Sequence, residues 1–498
     1  MFLVLSLTVI VVLVLIHHFV RKCSYRWKML CKFPGDAPLP IIGNALQIGF
    51  DADEVSHKLM ALWRKHGMEN FRMTVGSEDW VFVCNPDDVG TILSHPTELS
   101  KPLERNRAMM PFFGNSVSTS EGERWRYTRK LMAPSFQFKT LEGRASDVNL
   151  HCYRLFNVLD NSVNKGPIDM YRYLKPFMFD LLFILCNKTY GYTIITTNYF
   201  SYWRNIRPLF VLTPMYGEMM ETIKTIRAMS DDVSFVFIFQ NKGLSKIYLS
   251  IRHKNHDISS AYLEDLIEHN LSANACLLDY FLLSKLPNGE PSPDDIINEE
   301  ITLVCFTGHY TTAITMSHTL YFLAKYPDIQ QKVLEEQRTI FDNDLSKKPT
   351  PNELAKMKYL EAVIKESMRA IPTLTKIGRQ LQNDLKFKDG RIAPAGSSVI
   401  VLYEAMFQDP KIFPEPEKFN PERFFNTLHT FAFVPFSAGP RNCIGFRYAW
   451  VAMKTTLSNL LRRYEVLLGG PGTEPKLAFR ILTESKNGIQ LQLRRREI

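Results

Sequence analysis

The eight cysteines of this 498-residue chain (Cys23, Cys31, Cys84, Cys152, Cys186, Cys276, Cys305 and Cys443) include no CxxC pair and no short-domain spacing. That scatter argues against a disulfide framework or a zinc site and for reduced thiols in a cytosolic redox environment. Gly/Ser-rich linkers, low-complexity tracts and repeats of solenoid period are also missing. Length alone suggests roughly three domains, but without linkers one large domain is the better reading. The net charge of +9 is spread along the chain with no dense basic run, which sets nucleic acid aside as a partner. The apolar start lacks both the basic beginning and the small-residue cleavage site of a removable signal peptide.

What is present begins with that apolar start. Residues 1–20 are expected to form an uncleaved signal-anchor transmembrane helix, followed by Arg21, Lys22, Arg26, Lys28 and Lys32, which belong on the cytoplasmic side. This reading places the protein in the endoplasmic reticulum membrane with its catalytic part in the cytosol. Residues 21–44 read as a basic and proline-rich hinge stiffened by Pro34, Pro38 and Pro40, and residues 45–498 as the catalytic domain. With 45% of residues apolar, the chain can bury a sizeable core. Short strands are expected near Phe71–Val75 and Trp80–Cys84 and an extended region from Lys376 to Val401, with helices elsewhere. The stretch Tyr199–Met220 reads either as a lipid-dipping segment or as a buried helix.

The chemistry concentrates near the end of the chain. In Phe436-Ser-Ala-Gly439-Pro-Arg441-Asn-Cys443-Ile-Gly445 a single soft sulfur ligand lies between two glycines and an arginine. Such a thiolate can hold haem iron and push electron density into it, favouring O–O cleavage. Burial raises a thiol pKa, so backbone N–H groups, the start of the following helix and the metal are expected to keep the sulfur ionised. Gly439 and Gly445 would let backbone approach sulfur and porphyrin, and Arg441 would meet a propionate.

This ten-residue pattern resembles the cytochrome P450 family, the haem-thiolate monooxygenases. The resemblance implies a mainly α fold with a smaller β region (α+β) and haem b (iron protoporphyrin IX) with Cys443 as axial ligand. It implies a brace made by Glu366 and Arg369 of Lys365-Glu-Ser-Met-Arg369 with Arg423 of Asn420-Pro-Glu-Arg-Phe424. It also implies propionate contacts from Trp125 and Arg129, four apart on one helical face, and from Arg379. Further pocket positions are Phe112, Phe113, Thr307, Thr373 and Leu374, whose character suits an apolar ligand. Details such as Gly308-His309 before the threonines and Leu277-Leu-Asp279-Tyr280 look most like the family-four clan, especially its insect branch. Many members there carry, at the position of Thr307, a glutamate ester-linked to a haem methyl; Thr307 cannot form that bond.

A long helix is expected from an N-cap at Ser292, with Pro293 in the first turn, to Lys325-Tyr326. Midway, Gly308 and Thr311 match the family's dioxygen-handling positions: the glycine opening a groove, the threonine supporting the bound oxygen. Tyr310 stands where the family carries an acid. A phenol titrating near 10 is a poor proton shuttle at neutral pH. His309, Glu300 or ordered water are the possible substitutes, with His309 otherwise read as facing outward.

The resemblance also implies dioxygen, an NADPH-cytochrome P450 reductase and cytochrome b5 as partners. Lys130, Arg441 and Arg447 are expected to form a basic face that steers them. Two rival readings stay open: a haem-thiolate isomerase or dehydratase needing no reductase, and an apolar-ligand-binding haem protein with weak turnover because of Tyr310.

Overall fold

The computed structural model describes residues 19–49, 51–137, 143–187, 292–479 and 482–496, with single positions at 5, 6, 12, 141, 277, 280, 281, 284, 289 and 290. Most of the expected anchor, and all of the stretch 199–220, lie outside the described residues. Among the described residues no helix is long and apolar enough to cross a membrane.

β-Branched and aromatic residues make β1 (Phe71–Val75) and β2 (Glu78–Val83), an antiparallel hairpin turned at Gly76, whose φ of +59° suits a tight two-residue turn. Against β2 lies β7 (Ser398–Leu402) in parallel register, and β4 (Lys376–Gln380) closes the sheet antiparallel to β7. The short strands β5 (Leu385–Lys386) and β6 (Ile392–Ala393) pair between them in sequence. Elsewhere β3 (Ile168–Asp169), β11 (Gln490–Arg495) and β8 (Tyr464–Leu468) form a second sheet, and β9 (Leu477–Phe479) with β10 (Thr483–Ser485) a hairpin.

The remaining framework is helical. Its principal members are α1 (Tyr25–Leu30), α2 (Ala52–Lys65), α3 (Pro86–Leu93), α4 (Leu103–Phe113), α5 (Gly122–Met132), α6 (Arg144–Leu159), α7 (Met170–Asn187), α8 (Asp294–Lys325), α9 (Pro327–Ile340), α10 (Lys358–Ala370) and α11 (Phe446–Arg463). The helix-rich, smaller-sheet expectation therefore matches the described residues.

At 32 residues, α8 is about 48 Å long at 1.5 Å per residue. Much of it is buried, so its hydroxyls must be satisfied internally. Thr307, Thr311, Thr315, Ser317 and Thr319 each donate to the carbonyl four residues back, at 2.7–2.9 Å. Its N-cap is Pro293, not Ser292; the Ser292 hydroxyl instead meets those of Tyr127 and Ser284.

Residues 21–44 are docked on the sheet. Trp27, Leu30 and Phe33 are buried, the Arg72 guanidinium lies 4.8 Å from the Trp27 ring centroid, and Arg72 N–H donates to Pro34 O. Only glycine fits at 35, because a Cβ there would lie 2.5 Å from Arg72 O.

Candidate functional site

Cys443 lies in the loop before α11, whose N-terminus at Gly445 has no side-chain cap, and the Gly445 N–H acts on the sulfur. The loop is held by Cys443 N–H to Phe436 O (2.9 Å) and Asn442 N–H to Gly439 O (3.1 Å). Gly439 has φ +68°, and a Cβ there would meet Leu93 O at 2.0 Å, so glycine is required for the loop to pack on the end of α3. At Gly445 the nearest atom to such a Cβ is Phe136, at 3.8 Å, so the space is open. Burial pushes the Cys443 thiol up, while the Gly445 N–H and the Arg129 charge pull it down. Yet Cys443 is solvent-accessible. A desolvated thiol that is still reachable borders an internal hollow.

Thr307 tells the same story from α8: it is exposed between the half-buried Phe306 and Gly308, and Thr311, one turn on, is half-buried. The two elements are tied through the segment after α4. The Phe113 ring lies 5.2 Å from that of Phe306, Glu300 Oε1 accepts Val117 N–H at 2.6 Å, and Val117 O accepts Arg441 Nη1 at 3.2 Å. Phe112, Thr373 and Leu374 are half-buried; Thr373 shares a 2.9 Å hydroxyl contact with Thr315.

Arg129 donates to Asn442 O at 2.8 Å and to its side chain, pinning the residue before the cysteine. Arg441 does not lie on a basic surface, as expected from sequence. It is buried 4.2 Å from the Trp125 ring centroid and donates to Leu99 O, Val117 O and Ser120 O. Arg379, buried on β4, donates once to Gly378 O and leaves Nε and Nη2 without partners. Lys101 and Arg105, which sequence reasoning missed, join this group. Burial and the neighbouring cations Arg379, Arg105 and Arg441 push Lys101 well below its ordinary value. Burial, then Arg379, brings Arg441 down to about 9, and burial brings Arg379 down to about 10. Among the described residues none of these four cations forms an ion pair with a carboxylate. Four such cations beside an open thiol fit a flat prosthetic group bearing two carboxylates.

The carboxylate brace is also present. Arg369 donates to both Glu366 oxygens (2.8 and 3.0 Å) and Arg423 Nε to Oε1 (3.2 Å), all buried. The two arginines also hold Phe407 O, Pro414 O, Glu415 O and Lys418 O, so the brace fixes the chain leading to the cysteine loop rather than the loop itself.

On the distal helix the outward reading of His309 changes. The space a Cβ would take at Gly308 is filled by Leu182 of α7 (2.8 Å), so this glycine admits a neighbouring helix. His309 is buried rather than outward, its ring 5.4 Å from Phe179 and Nδ1 2.6 Å from Cys305 O. Burial, then Lys175, pushes it down to about 3, which leaves it neutral and unable to supply a proton at neutral pH. Tyr310 is buried toward α7.

Glu300 is fully buried, Oε2 has no partner, and burial pushes its pKa up to about 8. The folded state thus binds a proton that the unfolded chain releases above about 4.5, so this group's contribution falls as pH rises from there through 8. Glu300→Gln keeps the acceptor for Val117 without that cost. It should raise stability by about 1–3 kcal/mol at pH 7.5 and by little at pH 5, read from denaturation midpoints at the two pH values.

A family model for cytochrome P450 matches residues 33–492. The chain is 31% identical to Probable cytochrome P450 4d20 of Drosophila melanogaster, over 93% of each chain. It is 29% identical to Probable cytochrome P450 4e1 of the same fly, over 94% of this chain and 88% of that one. It is also 29% identical to Cytochrome P450 4e5, mitochondrial, of Drosophila mettleri, over 86% and 82%. The chain belongs to the cytochrome P450 family, with family-four fly proteins among its relatives. It is accordingly a monooxygenase, an oxidoreductase of a family whose haem is held by an axial cysteine thiolate.

Proposed function

We propose that this chain is a membrane-anchored haem-thiolate monooxygenase that inserts one oxygen atom from dioxygen into an apolar substrate of the fatty acid, terpenoid, hormone or xenobiotic class. Electrons come from NADPH through a flavin-containing reductase, with cytochrome b5 as an auxiliary donor. The observation that carries the residue assignment is the Cys443 thiol, reachable yet desolvated, with the Gly445 N–H directed at it. Cys443 is the axial ligand, and Arg379, Arg441, Lys101 and Arg105 neutralise the two propionates, with Trp125 and Arg129 buttressing the loop. When bound, haem supplies the activation of dioxygen.

Phe436, Gly439 and Gly445 shape the thiolate loop. Thr311 presents the hydroxyl on the face of α8 that borders the hollow, one turn from Thr307. Phe112, Phe113, Thr307, Thr373 and Leu374 contribute a largely apolar lining. Exposed Lys130 and Arg447, with Arg126 on α5, supply the cationic surface for an acidic reductase. The apolar run followed by clustered cations supports an endoplasmic reticulum anchor, although the fly protein 4e5 carries a mitochondrial name.

Turnover of substrates that shift the haem spin state should require both NADPH and reductase. Equal product from an organic hydroperoxide alone, with no reductase dependence, would favour the isomerase reading.

A further inference from the structure

Two of the four cations grouped beside the thiol are held by one short turn. Residues 116–120 are closed by Thr119 N–H and Ser120 N–H, which both donate to Ser116 O, at 3.0 and 2.7 Å. The carbonyls of this turn are occupied by the cations. Arg441 donates to Val117 O at 3.2 Å and to Ser120 O at 2.8 Å, and Arg105 donates to Ser118 O at 3.0 Å and to its hydroxyl at 2.9 Å. Each has one further partner, Leu99 O for Arg441 and Asn106 Oδ1 for Arg105. The aim of both guanidinium groups therefore depends on where the turn stands.

The turn is fastened to α8. Glu300 Oε1 accepts Val117 N–H at 2.6 Å in a fully buried setting. One residue back, Glu299 Oε2 pairs with Arg124 Nη2 at 2.6 Å, and Arg124 Nε donates to Asn115 O at 2.8 Å. This outer tie is partly exposed, and exposed ion pairs contribute little. The approach to α8 is close: Gly114 has φ +55°, and a Cβ there would lie 2.1 Å from Glu299 Oε1. Val117 thus joins Glu300 to Arg441 through a single residue, its N–H serving one and its carbonyl the other. The buried carboxyl of Glu300 carries a stability cost, as argued above, that packing alone does not require.

We propose that Glu300 is a positioning residue for the haem propionates: by holding Val117 it fixes the turn that aims Arg441 and Arg105 at them. The inference rests on the monooxygenase reading. What matters is the place of the acceptor and not its charge. Burial pushes Glu300 up to about 8, so at pH 7 it is largely the neutral acid, whose carbonyl oxygen a glutamine reproduces.

Transfer of haem from the purified holoprotein to excess apomyoglobin tests this. Glu300→Leu removes the acceptor and Glu300→Asp withdraws it by one methylene, so both should release haem at least about tenfold faster than the parent, the effect of losing one such buried bond. Glu300→Gln should stay within about twofold of the parent, because it keeps that bond. Arg441→Lys already lacks the planar fork that the turn aims. In that background Glu300→Leu should therefore add less than about twofold, since both changes act on one contact; a general loosening of the fold would multiply the two effects instead. Release at the parent's rate from both the leucine and the aspartate variants, or full multiplication in the double variant, would overturn the proposal. If the leucine variant retains no haem, Glu300→Asp carries the comparison, alone and with Arg441→Lys. A parent lacking the red-shifted carbon-monoxide band would instead defeat the haem-thiolate reading.

Discussion

Arg369→Ala should destabilise the folded domain by about 3–5 kcal/mol, because it strands a buried carboxylate. Glu366 is fully buried and receives two of its bonds from Arg369. Arg423 remains, but its single contact to Oε1 cannot serve Oε2. The substitution also orphans Phe407 O and removes one donor from Lys418 O. Net stabilities of domains are about 5–15 kcal/mol, so a loss of this size removes a fifth or more of the margin. In a chain this large the loss reads as kinetic stability: less haem protein recovered on expression and a much shorter half-life on mild heating. Arg369→Lys keeps the charge but not the planar fork, so it should fall between the two. An alanine variant with the parent's half-life would show that the brace is dispensable.

What could be read before the structure was the chemistry that repeats at short spacing. Cys443 with its glycines, the Glu366–Arg369 pair one turn apart and the central position of Thr311 each need only local geometry. The strand at Phe71–Val75 was legible because β-branched and aromatic residues cluster there. Misreadings came where the answer belongs to a partner element. His309 looks like a surface position until α7 is packed against α8, bringing Phe179 to it. Arg441 looks solvent-facing until three backbone carbonyls from distant segments converge on it. Lys101, Arg105 and Lys175 carry no local pattern, because what marks them is unpaired cationic charge assembled by tertiary contacts.

Cys443→Ser should remove the red-shifted Soret band of the reduced carbon-monoxide adduct and lower turnover by at least about 10²-fold, while leaving the fold intact. The single sulfur is the ligand to which the loop is built, and its anion is favoured by the Gly445 N–H and the Arg129 charge. Burial outweighs those aids even for a thiol, so a bound metal must complete its ionisation. The same aids are far too weak to ionise an alcohol, so serine offers iron a neutral, harder oxygen. Structural cost is small because the side chain borders open space, and the loop is held by backbone bonds to Phe436 O and Gly439 O that serine keeps. The substitution therefore separates the two roles of this loop. Thermal stability of the haem-free chain should stay within about 0.5 kcal/mol of the parent, whereas a chain that instead unfolds would show Cys443 to be a packing residue and not a ligand.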